Sequence, residues 1–225
     1  MVVKLLTAGL VFLGFALSTF AVDRADLDYR LRKFAIKFET MQAKVDKRIP
    51  PENLRKAQGI VMLDRTKAGF LFAYQGGGGV AMVKDPRTEQ WSPSAFLSAA
   101  EASLGLQIGG QQTFIVILLM NSNAVRILTE PTFKFGGEAS GTAGNASGGT
   151  EGTFSSVEQL VMVYSDTAGL YGGAAIKGET ISPDTDANLA YYAEPLTAKE
   201  ILFDNKVKPT EAAAELAQRI AKASR

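Results

Sequence analysis

The stretch from Arg55 to Gly110, RKAQGIVMLDRTKAGFLFAYQGGGGVAMVKDPRTEQWSPSAFLSAAEASLGLQIGG, decides the fold. Two apolar runs, Ile60–Leu63 and Phe70–Tyr74, each end in polar or glycine residues. Gly76–Gly79 follows, and a run of residues without Cβ lets a chain turn at no steric cost, or lets a strongly curved sheet bend. Val80–Val83 is a third short apolar run, Asp85-Pro86 makes a turn, and the only tryptophan stands in Trp91-Ser92-Pro93-Ser94. Short apolar runs closed by turn residues predict strands rather than a helix-rich chain. A phosphate-binding loop is a poor reading of the four glycines. No Gly-Lys-Ser/Thr follows, and Val80–Val83 has the character of a strand where such a loop needs a helix.

Working outward, Asp23 to Arg48 predicts an amphipathic helix, in a segment of residues 22–48. Leu27, Leu31, Phe34, Phe38, Met41 and Val45 are spaced four, three, four, three, four, which stacks them on one stripe. Eight basic residues outnumber five acidic ones there, and Pro50-Pro51 stops the helix. Two readings of the stripe stay open. It packs on the core with solvated charges opposite, or it lies in the acyl boundary of an anionic membrane with its basic flank on headgroups.

On the other side of the stretch, Phe114–Met120 is a continuous apolar run suited to a central strand buried on both faces. Asn121-Ser122-Asn123 offers cap chemistry for a short helix over Ala124–Thr129. Phe133–Phe135 starts a strand that runs into the glycine-rich segment Gly136–Gly152, expected to be part strand and part loop. Val157–Tyr164 and Leu170–Ile176 read as strands. Asp184-Thr185-Asp186-Ala187-Asn188 starts like a calcium loop but carries Leu189 and Pro195 where glycine and glutamate are required, so a hydrogen-bonded turn is the better reading. Thr197 and Glu200 form a capping box for a short helix through Phe203. An Ala-rich helix over Glu211–Ser224, with Leu216 and Ile220 as its anchors, is expected to dock lightly.

The fold class these patterns predict is α+β. A compact antiparallel sheet curls into a barrel or sandwich, with the first helix packed on it and shorter helices at the C-terminal end.

Composition narrows the chemistry. The 225 residues contain no histidine and no cysteine, which removes disulfides, Ser-His-Asp and cysteine catalysis, and the usual zinc sites. An enzyme is therefore not expected, and no metal or cofactor. Lys4 followed by the apolar run Leu5–Leu17 and the small residues near Ala21 has the pattern of an export signal over residues 1–21. The run is short for a membrane span, although an uncleaved anchor is the alternative. Cleavage would leave 23 basic against 23 acidic residues, a balance unlike the strongly basic domains that bind nucleic acid. Trp91 has two readings as well, at a membrane interface or packed over the glycine-rich strands.

Several ordered motifs resemble the SYLF domain family. They are Lys56-Ala57-Gln58-Gly59-Ile60, Lys67-Ala68-Gly69-Phe70, the glycine run, Trp91-Ser92-Pro93-Ser94 and Gly105-Leu106-Gln107-Ile108-Gly109. Ala168–Gly173 with Gly178, and Asn188 with Tyr191-Tyr192, are similar to its closing pattern. The resemblance covers about Ile49 to Phe203, within a domain set at residues 49–205 and followed by a C-terminal helix at 206–225. It implies a lipid-binding module, akin to the lipid- and actin-binding domain of yeast actin-patch proteins, in an exported, bacterial-type member. The expected partner is an anionic, phosphoinositide-type membrane lipid, not a nucleic acid. The residues expected to meet its phosphates are Arg30, Arg32, Lys33, Lys37, Lys44, Lys47, Arg48, Arg55, Lys56 and Lys67. The expected location is periplasmic or secreted, peripheral to a membrane. The alternative is a structural or protein-partner module of the cell envelope.

Overall fold

A computed structural model describes residues 22–69, 73–103, 109–134, 151–156, 159–166 and 180–225. The expected export signal, Leu170–Ile176, most of Gly136–Gly152 and the Gly105–Gly109 motif lie outside these residues, apart from Gly109.

Asp23 caps the first helix, α1 (Arg24–Ala43), by accepting from the amide of Ala25. The predicted stripe is real as far as Met41: Leu27, Leu31, Phe34, Phe38 and Met41 are all buried. Lys44 is extended and ends the helix, so Val45 falls off the stripe and is 79% exposed. Pro50-Pro51 does more than stop a helix, because Pro51 opens a second one, α2 (Pro51–Lys56), in the position where its missing N–H costs nothing.

Among the described residues eight strands then form one antiparallel, curled sheet. They are β1 (Gly59–Gly69), β2 (Ala73–Val83), β3 (Ala95–Ser103), β4 (Gly109–Leu119), β5 (Phe133–Lys134), β6 (Glu151–Ser156), β7 (Gln159–Ser165) and β8 (Thr180–Pro183). Their order is β5-β8-β3-β2-β1-β4-β7-β6. Of the two readings of the glycine run, the turn is corrected in favour of the curved sheet: Gly76–Gly79 lies inside β2, with Gly77 opposite Arg65, Gly78 opposite Asp64 and Gly79 opposite Leu63. Turn chemistry is the local signal of a glycine run, but here the run answers to close neighbours.

Over Gly59–Leu63, Gly79–Val83 and Thr113–Leu119 the sheet is buried on both faces, as the continuous apolar run of β4 required. Alternation along each strand divides the core. Ile60, Met62, Val80, Met82, Phe96, Phe114, Val116 and Leu118 face α1, α2 and two later helices, α4 (Thr185–Tyr192) and α6 (Glu211–Ala223). Val61, Leu63, Ala81, Leu97, Ile115, Ile117 and Leu119 face the opposite way, under α3 (Ser122–Arg126), the 3-10 turn Ile127–Thr129 and α5 (Ala198–Leu202). Asn121 caps α3 and the Thr197–Glu200 capping box opens α5, both as their sequences predict.

Two other expectations are corrected. The Ala-rich α6 is not lightly docked: Ala212, Ala213, Leu216 and Ile220 are all buried against α1 and the sheet, because alanines let two helix backbones approach closely. Trp91 is not over the glycines. It is half-buried beside the far end of β2, with the Lys84 ammonium 5.1 Å from its ring centre.

Candidate functional site

The glycine run explains the most distinctive polar feature of the molecule. Ile60, Met62 and Asp64 occupy alternate positions of β1 and all face α1. A carboxylate at a core-facing strand position needs partners, and α1 provides them one turn apart. Lys33 Nζ lies 3.0 Å from Asp64 Oδ2 and Lys37 Nζ lies 2.6 Å from Asp64 Oδ1. Burial pushes the Asp64 carboxyl up, but the hydrogen bonds and charges of Lys37 and Lys33 outweigh it and hold it below its ordinary value.

Beside this triad the sheet carries no side chain at Gly78, and Arg30 fills part of the space. A Cβ at Gly78 would collide with the Arg30 guanidinium. That guanidinium also lies 5.5 Å from the centre of the Phe96 ring, a contact worth about 0.5–2 kcal/mol depending on desolvation. Arg30, Lys33, Phe34, Asp64, Gly78 and Gln112 line a cleft of about 240 Å³ between α1 and the sheet. Among the described residues no carboxylate forms a salt bridge with Arg30.

The other expected phosphate-contacting residues are dispersed. Arg32 points along α1 toward α6, 3.7 Å from Glu215 and 4.0 Å from Glu211, in a row that continues through Arg219 to Glu39. Lys47 lies 3.6 Å from Asp46. Lys44, Arg48 and Lys56 are exposed, and none pairs with a carboxylate among the described residues. Arg55 donates to the Ser224 carbonyl at 2.8 Å, joining α2 to the end of α6. Lys67 belongs to β1, but its side chain is outside the described ones.

Arg55 and Lys56 come together with two cations the sequence did not single out. Lys84 donates to the Arg55 carbonyl at 2.8 Å, a cation at the C-terminal end of α2, where a helix favours one. With Arg126 these residues line a hollow of about 470 Å³, whose acidic members are Asp85 and Glu89. Near them in sequence, Lys44 and Arg48 flank the turn before α2, with Asp46 between them and Glu52 in the first turn of α2. On the outer side of α1, Tyr29 and Ile36 are 69% and 58% exposed and stand two turns apart, hence on one face.

Of the cleft residues, sequence reading chose Arg30 and Lys33, along with Lys37 that pairs with Asp64, and missed Asp64, Gly78 and Gln112. A usable signal existed for Asp64. It continues the Ile60, Met62 alternation, and Lys33 and Lys37 have the i, i+4 spacing that places two cations over one point.

Among the described residues no cluster of acidic side chains could hold a metal ion, and no helix is long and apolar enough to cross a membrane.

Residues 100–223 match the family profile described as "Ysc84: Las17-binding protein actin regulator". The chain belongs to the Ysc84, or SYLF, family. Similar family members include "LAS seventeen-binding protein 3" of Saccharomyces cerevisiae, 33% identical over 173 residues, which are 74% of this chain and 37% of that protein. "SH3 domain-containing YSC84-like protein 1" of Xenopus laevis is 31% identical over 170 residues, 74% of this chain and 50% of that protein. The SYLF chain thus spans half or less of the length of these relatives. No solved structure is significantly similar to it.

Proposed function

We propose that this SYLF chain is a non-enzymatic lipid-binding module that attaches peripherally to anionic, phosphoinositide-type membrane surfaces. On this reading the protein is exported and works in the periplasm or outside the cell. The observation that carries the proposal is the set of basic residues on and around α2: Lys44, Arg48 and Lys56 are exposed without carboxylate partners among the described residues, and Arg55, Lys84 and Arg126 line one hollow with Lys56. Each basic residue near an anionic surface contributes about 1 kcal/mol, so several must act together and salt must weaken them. Tyr29 and Ile36 add an apolar contact that α1 offers without giving up its buried stripe.

Cosedimentation of the processed protein with vesicles tests this. Binding is expected to phosphatidylcholine vesicles doped with phosphatidylserine or phosphoinositide, not to neutral ones, and to fall steeply with salt. Lys44→Gln combined with Lys56→Gln should remove about 2 kcal/mol, roughly a 30-fold loss. Charge reversal at Lys33 and Lys37 would be a poor probe, because it would set carboxylates against Asp64. Absence of binding to any anionic vesicle sinks the reading.

The second reading is a protein-partner module. It is favoured by the printed names of relatives, which describe binding to Las17 and the possession of SH3 domains. A single partner retained in the double-glutamine variant and in high salt would favour it.

A further inference from the structure

We propose that the cleft between α1 and the glycines of β2 is a binding subsite for one phosphate group, with Arg30 as its principal ligand. The source of that phosphate, a lipid headgroup or the free ion, rests on the lipid reading above; the subsite itself does not.

Four observations converge on it. First, the charge is unbalanced: among the described residues, Arg30, Lys33 and Lys37 stand around a single carboxylate, Asp64. The charged groups next to them on α1 are engaged elsewhere, Arg32 with α6 and Asp28 with the Tyr191 hydroxyl at 2.6 Å. Second, Arg30 is half-buried and held in place by Phe96 below it, yet its guanidinium donors have no hydrogen-bond partner among the described residues. A guanidinium fixed in this way presents the fork that fits a phosphate bidentately. Third, Gln112 on β4 lines the same cleft and brings amide donors from the opposite side. Fourth, the size is right for a small anion: clefts for drug-sized ligands run from about 300 Å³ upward, and this one is about 240 Å³.

The space exists because of the register. Across the face toward α1, Ser98, Gly78, Asp64 and Phe114 lie side by side on β3, β2, β1 and β4. Any side chain at Gly78 would take the place of the Arg30 guanidinium. An arriving phosphate would accept from Arg30 and Gln112 and draw Lys33 away from Asp64, which Lys37 would continue to neutralise.

The test is an amide chemical-shift titration of the processed protein. The probes are inorganic phosphate, a short-chain phosphatidate kept below its micelle threshold, and vesicles of phosphatidylcholine with and without phosphatidate. Phosphate and the short-chain lipid are expected to shift the amides of Gly77, Gly78 and Gln112. Arg30→Gln should weaken this by about tenfold or more, as for loss of a charge-assisted fork. Arg32→Gln, which alters a cation tied to α6, should leave it unchanged. Should Arg30→Gln unfold, Gly78→Ala reads the same subsite, because its methyl displaces the guanidinium without removing it.

Response to inorganic phosphate without response to vesicles assigns the subsite to a free anion and counts against the lipid reading. Vesicle binding without a cleft response overturns the subsite and leaves that reading standing. No cleft response to any probe, or an equal loss in Arg32→Gln, overturns the proposal.

Discussion

A methyl group added at Gly77 would run into the backbone carbonyl of Asp64, whereas one added at Gly78 would meet the flexible tip of Arg30. The two neighbouring glycines therefore answer to different constraints. Gly77→Ala should cost about 1–3 kcal/mol, since a paired strand must move to admit it. Gly78→Ala should change stability by less than about 1 kcal/mol, because a long side chain swings aside more cheaply than a strand. Urea denaturation of both variants checks the contrast, and equal costs would refute it. At this scale the sequence was legible in part. The cations of the cleft could be named, since basic residues on an amphipathic helix are visible locally. Gly78 could not, because its reason is a side chain on another element, 48 positions earlier in the chain.

Elements were easier to read than the contacts between them. The α1 stripe, the double-sided β4 strand, the Asn121 cap and the Thr197 capping box all rest on periodicity or capping within a few residues, and all are present. The helix α4 was hidden. Asp184-Thr185-Asp186-Ala187-Asn188 carries turn chemistry, and Asp184 does accept from the Ala187 amide, but as the cap of a helix. What α4 does is fixed by Asn188, whose buried amide accepts from the Phe96 N–H at 2.8 Å and donates to the Phe96 carbonyl at 3.1 Å. It thereby extends the β8 side of β3 past Leu97, where the ladder with β8 ends. Asn188→Ala leaves the Phe96 N–H without a partner, at about 1–3 kcal/mol, while the Phe96 carbonyl keeps the Asp184 amide at 2.9 Å. A fall in the thermal midpoint is expected, and Asn188→Asp should not restore it, because a buried carboxylate sets an acceptor oxygen against the Phe96 carbonyl where the amide donates. Wild-type stability in either variant would exclude this role.

Over the whole molecule, one sheet serves two cores, so neither core can be lost alone. The helix α6 is the critical cover for one of them. It packs along α1 through Leu216 and Ile220, and Thr210 at its start shares the Tyr191 hydroxyl that also reaches Asp28 on α1. Burying each large side chain contributes about 1.5–3 kcal/mol, against a total stability of about 5–15 kcal/mol for such a protein. A chain ending at Thr210 should therefore lose its cooperative thermal transition and bind a hydrophobic dye; a normal melt would contradict the account. The α+β class and the antiparallel sheet followed from strand spacing, but the importance of α6 did not. Its alanines looked like weak anchors because a sequence shows how much apolar surface a residue has, not how closely another helix can approach it.

The position of α6 has a consequence in time. The core it closes begins with Leu27 near the start of the described chain and ends with Ile220 in the last helix. A polypeptide that emerges from its N-terminus cannot complete that core until nearly all of it has been made. Until then the apolar side of α1 has no permanent cover, and whatever handles the nascent chain must handle it unfolded.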